Sequence, residues 1–99
     1  MDKEQILEQL ENPGLVPVIR LDSGEKLPKL LDAFLRGGIR AAELTMTIPG
    51  ALELLRESRK QLGDSLLLGM GTITDRISAK AAVDAGAQIL VSPFPVFDA

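Results

Sequence analysis

The chain has 99 residues, one domain's worth of polypeptide, enough to bury roughly two-thirds of its unfolded surface around a single core. Hydrophobic residues make up 45% and charged residues 25%, which argues against disordered, collagen-like and membrane classes. The net charge of −3 scatters 11 basic residues among 14 acidic ones, so no basic stripe awaits phosphates and nucleic acid is not an expected partner. With no Cys and no His, disulfides, thiolate and imidazole chemistry and most transition-metal sites are excluded. Proton transfer falls to carboxylates, Lys, hydroxyls or water. No apolar run approaches the ~18 residues of a membrane span, and Met1-Asp2-Lys3-Glu4-Gln5 leads into no apolar stretch of signal-peptide length. A cytoplasmic protein with no membrane partner is the expectation.

The first element is a short amphipathic helix carrying Ile6, Leu7 and Leu10, which ends at the turn Asn12-Pro13-Gly14. An apolar run over 15–19 follows. Leu27, Leu30, Leu31, Phe34 and Leu35 then form an i, i+3, i+4, i+7, i+8 stripe, the clearest helix in the chain. Asp22 or Ser23 is expected to cap its start, Pro28 is tolerated in its first turn, and a glycine of Gly37-Gly38 can end it in the left-handed conformation. A second apolar run covers 39–45. The next helix is predicted from about 49 to 62, with Ala51, Leu52, Leu55 and Leu62 inward and Glu53, Arg56, Glu57, Arg59 and Lys60 toward water. After a third run over 66–70 comes a helix from about 74 to 85. Its small residues Ala79, Ala81, Ala82 and Ala85 allow close approach to a sheet. A fourth run over 88–91 closes the pattern.

Each run is short, apolar and bounded by turn residues, as strands buried on both faces are. Strands alternating with helices imply right-handed crossovers and a parallel α/β sheet, in one domain over 1–99. Two architectures fit four such strands. One is a flavodoxin-like open sheet, which usually has five strands; the other is the first half of a (β/α)8 barrel, whose full length is typically about 250 residues. Parity in the second run bears on the choice. Ile39, Ala41, Glu43 and Thr45 share one face, Arg40, Ala42 and Leu44 the other. A face that ends in a carboxylate and a hydroxyl suits a barrel interior opening into an active site.

Glu43 is the most informative residue. A carboxylate inside an apolar strand costs desolvation energy unless it is paired, and desolvation raises its pKa toward the range useful for acid/base work. The alternative is a structural ion pair with Arg20 or Arg40. Gly69-Met70-Gly71-Thr72 falls at the carboxyl end of the third strand, where parallel sheets and barrels both place their sites. Its glycines would let backbone approach a ligand and Thr72 offers a hydroxyl; equally, the segment can be a tight strand-to-helix turn. Arg20, ending the first strand, suits bidentate recognition of a carboxylate, although a solvated strand end is as common. Pro93, in Ser92-Pro93, can simply terminate the fourth strand. Lys3, Lys26, Lys29, Lys60 and Lys80 all fall in or beside helices, where a solvated ammonium is the default.

Taken together, four segments resemble one family. Leu15-Val16-Pro17-Val18-Ile19-Arg20, Gly37-Gly38-Ile39-Arg40 running into Glu43-Leu44-Thr45-Met46-Thr47, Gly69-Met70-Gly71-Thr72-Ile73, and Ala85-Gly86-Ala87-Gln88 leading to Val91-Ser92-Pro93 are similar, in order and spacing, to the amino-terminal half of the 2-keto-3-deoxy-6-phosphogluconate / 4-hydroxy-2-oxoglutarate aldolases. The resemblance implies a (β/α)8 barrel, usually trimeric, that splits a 2-keto-3-deoxy sugar acid into pyruvate and an aldehyde through a lysine Schiff base, with no metal or other cofactor. It further implies Glu43 as the acid/base group and Arg20, Thr47, Thr72 and Pro93 as substrate-binding positions. At Thr47 some members carry arginine, and Phe94-Pro95 stands where many have glycine. The family's Schiff-base lysine belongs to the sixth strand and its phosphate-binding glycines to the last two, so none of these lies in this chain. By that mechanism the chain alone is expected to be inactive and, with two open sheet edges, to self-associate. The alternative from a different class is a non-catalytic half-barrel module, either binding a small keto acid or purely structural.

Overall fold

Helices and strands alternate along the chain: α1 (Lys3–Glu11), β1 (Val18–Ile19), α2 (Leu27–Arg36), β2 (Ala41–Thr45), α3 (Ala51–Leu62), β3 (Leu67–Gly71), α4 (Arg76–Asp84) and β4 (Ile89–Leu90). The structure, a computed structural model, describes residues 2–11 and 14–92. The four strands form one sheet in the order β1-β2-β3-β4, every neighbouring pair parallel. That order decides between the two architectures. A doubly wound sheet reverses direction and brings its first strand inside, whereas a barrel adds each strand beside the last.

Register sorts the sheet into two faces. Ile19 pairs with Leu44, and Leu44 with Met70, on the side covered by helices. There Ala42, Leu44, Leu68 and Met70 pack with Leu27 and Leu31 of α2, Leu55 of α3, and Ala79 and Ala82 of α4. Each fully buried Leu or Met contributes about 1.5–3 kcal/mol, so this layer carries the stability of the fold. On the opposite side Val18 pairs with Glu43, Glu43 with Gly69, Thr45 with Gly71, and Gly69 with Ile89. Near the amino-terminal ends of the inner strands α1 packs against β3, and Gln9 Nε2 donates to the Arg40 carbonyl at 2.7 Å.

Burial on both faces holds for the two inner strands, where all five residues of β2 and of β3 are buried. It fails at the edges: Val18 is 53% exposed, Leu90 40% and Val91 42%. The edge strands are also shorter than the apolar runs predict. Pro17 has no N–H for a ladder, although its carbonyl still accepts from Glu43 N at 2.9 Å.

Helix ends show where local chemistry overrides the pattern. Neither Asp22 nor Ser23 caps α2; its N-cap is Lys26, with no side-chain hydrogen bond, and the Leu27 N–H bonds to the Gly24 carbonyl at 3.1 Å. Gly38, at φ +86°, supplies the left-handed residue expected after α2. Gly50 takes φ +71° as the N-cap of α3, so the helix starts at Ala51 rather than at 49. Asp75 caps α4 by accepting from Ser78 N at 2.7 Å, and the bond holds its carboxyl below the ordinary range. Arg59 does not simply face water: it is half-buried, donates to the Gly63 carbonyl at 2.7 Å and approaches Asp64 at 3.6 Å.

Candidate active site

The carboxyl ends of parallel strands collect the loops that leave the sheet, and the chemistry-bearing residues gather there. Glu43 lies at the centre of β2, only 7% exposed, on the side of the sheet away from the helices. Burial raises its pKa above the ordinary carboxylate value, and the nearby Arg20 guanidinium pulls in the opposite direction without cancelling the rise. The result is a carboxyl poised to give up or take a proton closer to neutral pH than a solvated one. No ion pair within 4.0 Å joins Glu43 to Arg20 or Arg40 among the described residues, so the structural ion-pair reading is not realised. Arg20 is exposed, directly after β1, and acts on Glu43 through its field.

The two glycines of β3 have a different role from the one their sequence suggests. A Cβ at Gly71 would collide with the Glu43 Oε1 atom and lie 2.7 Å from its Cδ; a Cβ at Gly69 would collide with Ile89 and lie 2.8 Å from its Cδ1. Neighbouring side chains already occupy the space that an approaching ligand was expected to use. The glycines are slots in the sheet.

Thr72 follows at once, with φ +61°, the single non-glycine residue in the left-handed region among those described. A β-branched residue rarely adopts that conformation, and such strain gathers at ligand-binding positions. The turn is pinned on both sides: Gly71 O accepts from Met46 N at 3.1 Å, and Ile73 N donates to Val91 O at 3.1 Å. Thr72 is thus held, half-buried, between β2 and β4.

Thr45 joins the site in addition to the residues expected there, and its place two positions beyond Glu43 on the same face is the sequence signal for it. Buried, it donates its hydroxyl hydrogen to the Ile19 carbonyl at 3.0 Å and so ties the ends of β1 and β2 together. That hydrogen spent, Thr45 Oγ1 can only accept in its 2.7 Å contact with Thr47 Oγ1. Thr47 is therefore the donor, and its exposed oxygen remains available as an uncharged acceptor. The structure therefore brings together Glu43, Thr45, Thr47 and Gly71, with Arg20 within electrostatic reach. Pro93 lies outside the described residues. All five lysines are exposed on helices or a helix cap, and Lys80 is paired with Asp84 at 3.2 Å along α4.

Four parallel strands, each added beside the last and alternating with helices, are an arrangement that known proteins share. The model of the family described as KDPG and KHG aldolase aligns with residues 6–95. The chain belongs to the KDPG/KHG aldolase family. A 2-dehydro-3-deoxy-phosphogluconate aldolase of Treponema pallidum is 39% identical over 88 residues, which are 89% of this chain and 41% of that relative. A protein of the same name from Haemophilus influenzae is 31% identical over 90 residues, 91% of this chain and 42% of the relative. The KDPG aldolase of Legionella pneumophila, crystallised with pyruvate captured as a covalent carbinolamine intermediate, superposes with a TM-score of 0.78 and 30% identity over 84% of this chain and 40% of that one. The chain thus spans about two-fifths of these family members, and its sheet corresponds to the start of their barrel.

Proposed function

We propose that this chain supplies the first four βα units of a class I, Schiff-base aldolase, which cleaves 2-keto-3-deoxy-6-phosphogluconate or 4-hydroxy-2-oxoglutarate to pyruvate and an aldehyde without metal or organic cofactor, in the cytoplasm. The observation that carries the reading is Glu43: a buried carboxyl with no ion-pair partner among the described residues, its pKa raised by burial, at the centre of β2 on the face of a barrel-ordered sheet away from the helices.

In this mechanism the amine of a sixth-strand lysine, outside this chain, adds to the substrate's keto carbon. Protonated Glu43 delivers its proton, directly or through a water, to the carbinolamine hydroxyl, which leaves as water and gives the iminium. As a carboxylate, Glu43 then takes the proton from the hydroxyl on the carbon beyond the bond to be broken. That bond's electron pair moves into the iminium, the aldehyde departs and an enamine remains. Return of the proton to the enamine carbon restores the iminium, whose hydrolysis releases pyruvate. One group serves in both directions more readily the closer its two protonation states are in energy, and burial, with Arg20 opposing it, moves Glu43 in that direction from an ordinary carboxylate.

Arg20, Thr47, Thr72 and Pro93 are the substrate-binding positions. Arg20 offers a guanidinium to the substrate carboxylate, and Thr47 offers an acceptor to a substrate hydroxyl where a family member with arginine would offer charge. The remaining βα units would cover Val18, Leu90 and Val91; without them the chain would self-associate through its open edges. The test is to complete the chain, covalently or with a second chain bearing the sixth-strand lysine, and to measure pyruvate release from both keto acids. Turnover that Glu43→Gln abolishes supports the proposal. A completed, folded barrel that releases no pyruvate would favour a non-catalytic half-barrel module.

A further inference from the structure

Gly71 shows no positive φ, so the conformational freedom of glycine is not what the position requires. Space is. The Cβ that any other residue would add falls inside the envelope of Glu43 Oε1, 2.7 Å from Cδ and 3.2 Å from Cγ. The three atoms nearest that point all belong to the Glu43 side chain, and none is backbone. The carboxyl of β2 lies diagonally across the neighbouring strand, over the bare α-carbon of residue 71, two positions beyond the Gly69 with which Glu43 is in register. Gly69, on the same face, faces a different occupant: Ile89 reaches over it from β4, and the Ile89 carbonyl lies 3.0 Å from the added Cβ. The two slots therefore receive one side chain from each flanking strand, a proton carrier from one and an apolar side chain from the other.

We infer that Gly71 is a positioning residue for the acid/base group: its missing side chain is the seat that holds the Glu43 carboxyl down on the sheet, at one place and out of water. The seat acts through Glu43 and touches no reacting atom. Of the groups around it, β3 contributes only uncharged residues, β2 contributes Thr45, and β1 contributes Arg20 just beyond its end. Nothing else charged on the strands next to Glu43 would compensate if the seat were filled. Because the colliding atoms are the free end of a flexible side chain, Gly71→Ala should swing the carboxyl off the sheet toward solvent and leave the backbone in place.

The inference rests on the aldolase reading for its kinetic arm alone. The deciding measurement is the carboxyl titration of Glu43, followed by carbon-13 NMR in the chain as it stands. In Gly71→Ala the midpoint should fall toward that of a solvated glutamate; in Gly69→Ala, which displaces Ile89 instead, it should stay where it is. A midpoint that does not fall in Gly71→Ala, or that falls equally in Gly69→Ala, overturns the seat. Should Gly71→Ala fail to fold, Gly71→Ala combined with Glu43→Ala decides: folding of the pair shows that the collision was with Glu43, and failure of the pair overturns the inference. In the completed enzyme, Gly71→Ala should lower kcat about 100-fold, the scale of an ångström-sized misplacement of a catalytic group, and move the pH profile to lower pH. A completed enzyme already inactive with Gly71 intact refutes the aldolase reading, while the titration still judges the seat.

Discussion

Thr72→Gly should make the protein more stable and the completed enzyme less active. A non-glycine residue in the left-handed region costs about 1–2 kcal/mol, and Thr72, at φ +61°, carries that cost. Glycine would remove it and give back about 0.4–1 kcal/mol through the greater freedom of the unfolded chain. Thr72 is half-buried, so its truncation forfeits little apolar contact. The net gain is about 0.5–1 kcal/mol, which for a domain of this size raises Tm by roughly 2–8 °C. Thermal unfolding followed by circular dichroism measures it. Thr72→Ala is the matched control: it keeps the Cβ that makes the conformation unfavourable and should gain nothing. In the completed enzyme, loss of one neutral hydroxyl contact to substrate, worth about 0.5–1.5 kcal/mol, should lower kcat/KM about 2- to 10-fold. A glycine variant that melts at or below wild type would show that the backbone at 72 is not strained, and would remove the stability argument for a ligand-binding role there.

Glu43→Gln should leave the fold intact and lower turnover of the completed enzyme by about 10²–10⁴-fold, as loss of a general acid/base does. Its stability should also depend on pH in a defined direction. With a folded pKa above the unfolded one, Glu43 costs the fold nothing below the unfolded value near 4.5, and the cost grows as pH rises through the raised folded value; the glutamine variant should lack that loss, so its denaturation midpoint relative to wild type should improve from pH 4 toward neutrality. Pyruvate with borohydride should leave no single trapped lysine on the isolated chain, because all five are exposed on helices or a helix cap; a mass-spectrometric adduct mapped to one lysine and lost in Glu43→Gln would place the chemistry in this half after all. Sedimentation of the isolated chain should show association, and Val18→Lys with Leu90→Lys, which put charge on both edge strands, should reduce it; a dilute wild-type monomer with a cooperative melt would count against open barrel edges.

What could be read from the residues alone follows from which interactions are local in sequence. Alternation along a single strand is local, so the parity that set Glu43 and Thr45 together, apart from Ala42 and Leu44, could be read directly and survives in the sheet. The strand order needed one more fact, the pairing of neighbours, and the even spacing of four apolar runs was consistent with it without excluding the doubly wound alternative. The edges were illegible for a physical reason: Val18 and Leu90 are as apolar as inner-strand residues, and what leaves them exposed is the lack of a neighbour. Caps failed where a turn intervened, as when Asp22 and Ser23 yielded to an uncapped Lys26 because Gly24 O already received the Leu27 N–H.

The glycines of β3 mark the limit most clearly. A glycine records that a side chain is absent, and the sequence cannot say whether the gap serves a left-handed turn, a ligand or another side chain. Here the same residue type answers three needs: Gly38 and Gly50 supply positive φ, Gly69 admits Ile89, and Gly71 admits Glu43. Only the last bears on chemistry, and it does so through a residue 28 positions earlier in the chain. Glu43 and Gly71 therefore make sense only as a pair, since a carboxyl buried over a neighbouring strand needs a place without a side chain as much as the empty place needs a reason to be kept. A variant that restores bulk at 71 while shortening 43 tests that pairing more directly than any change at either position alone.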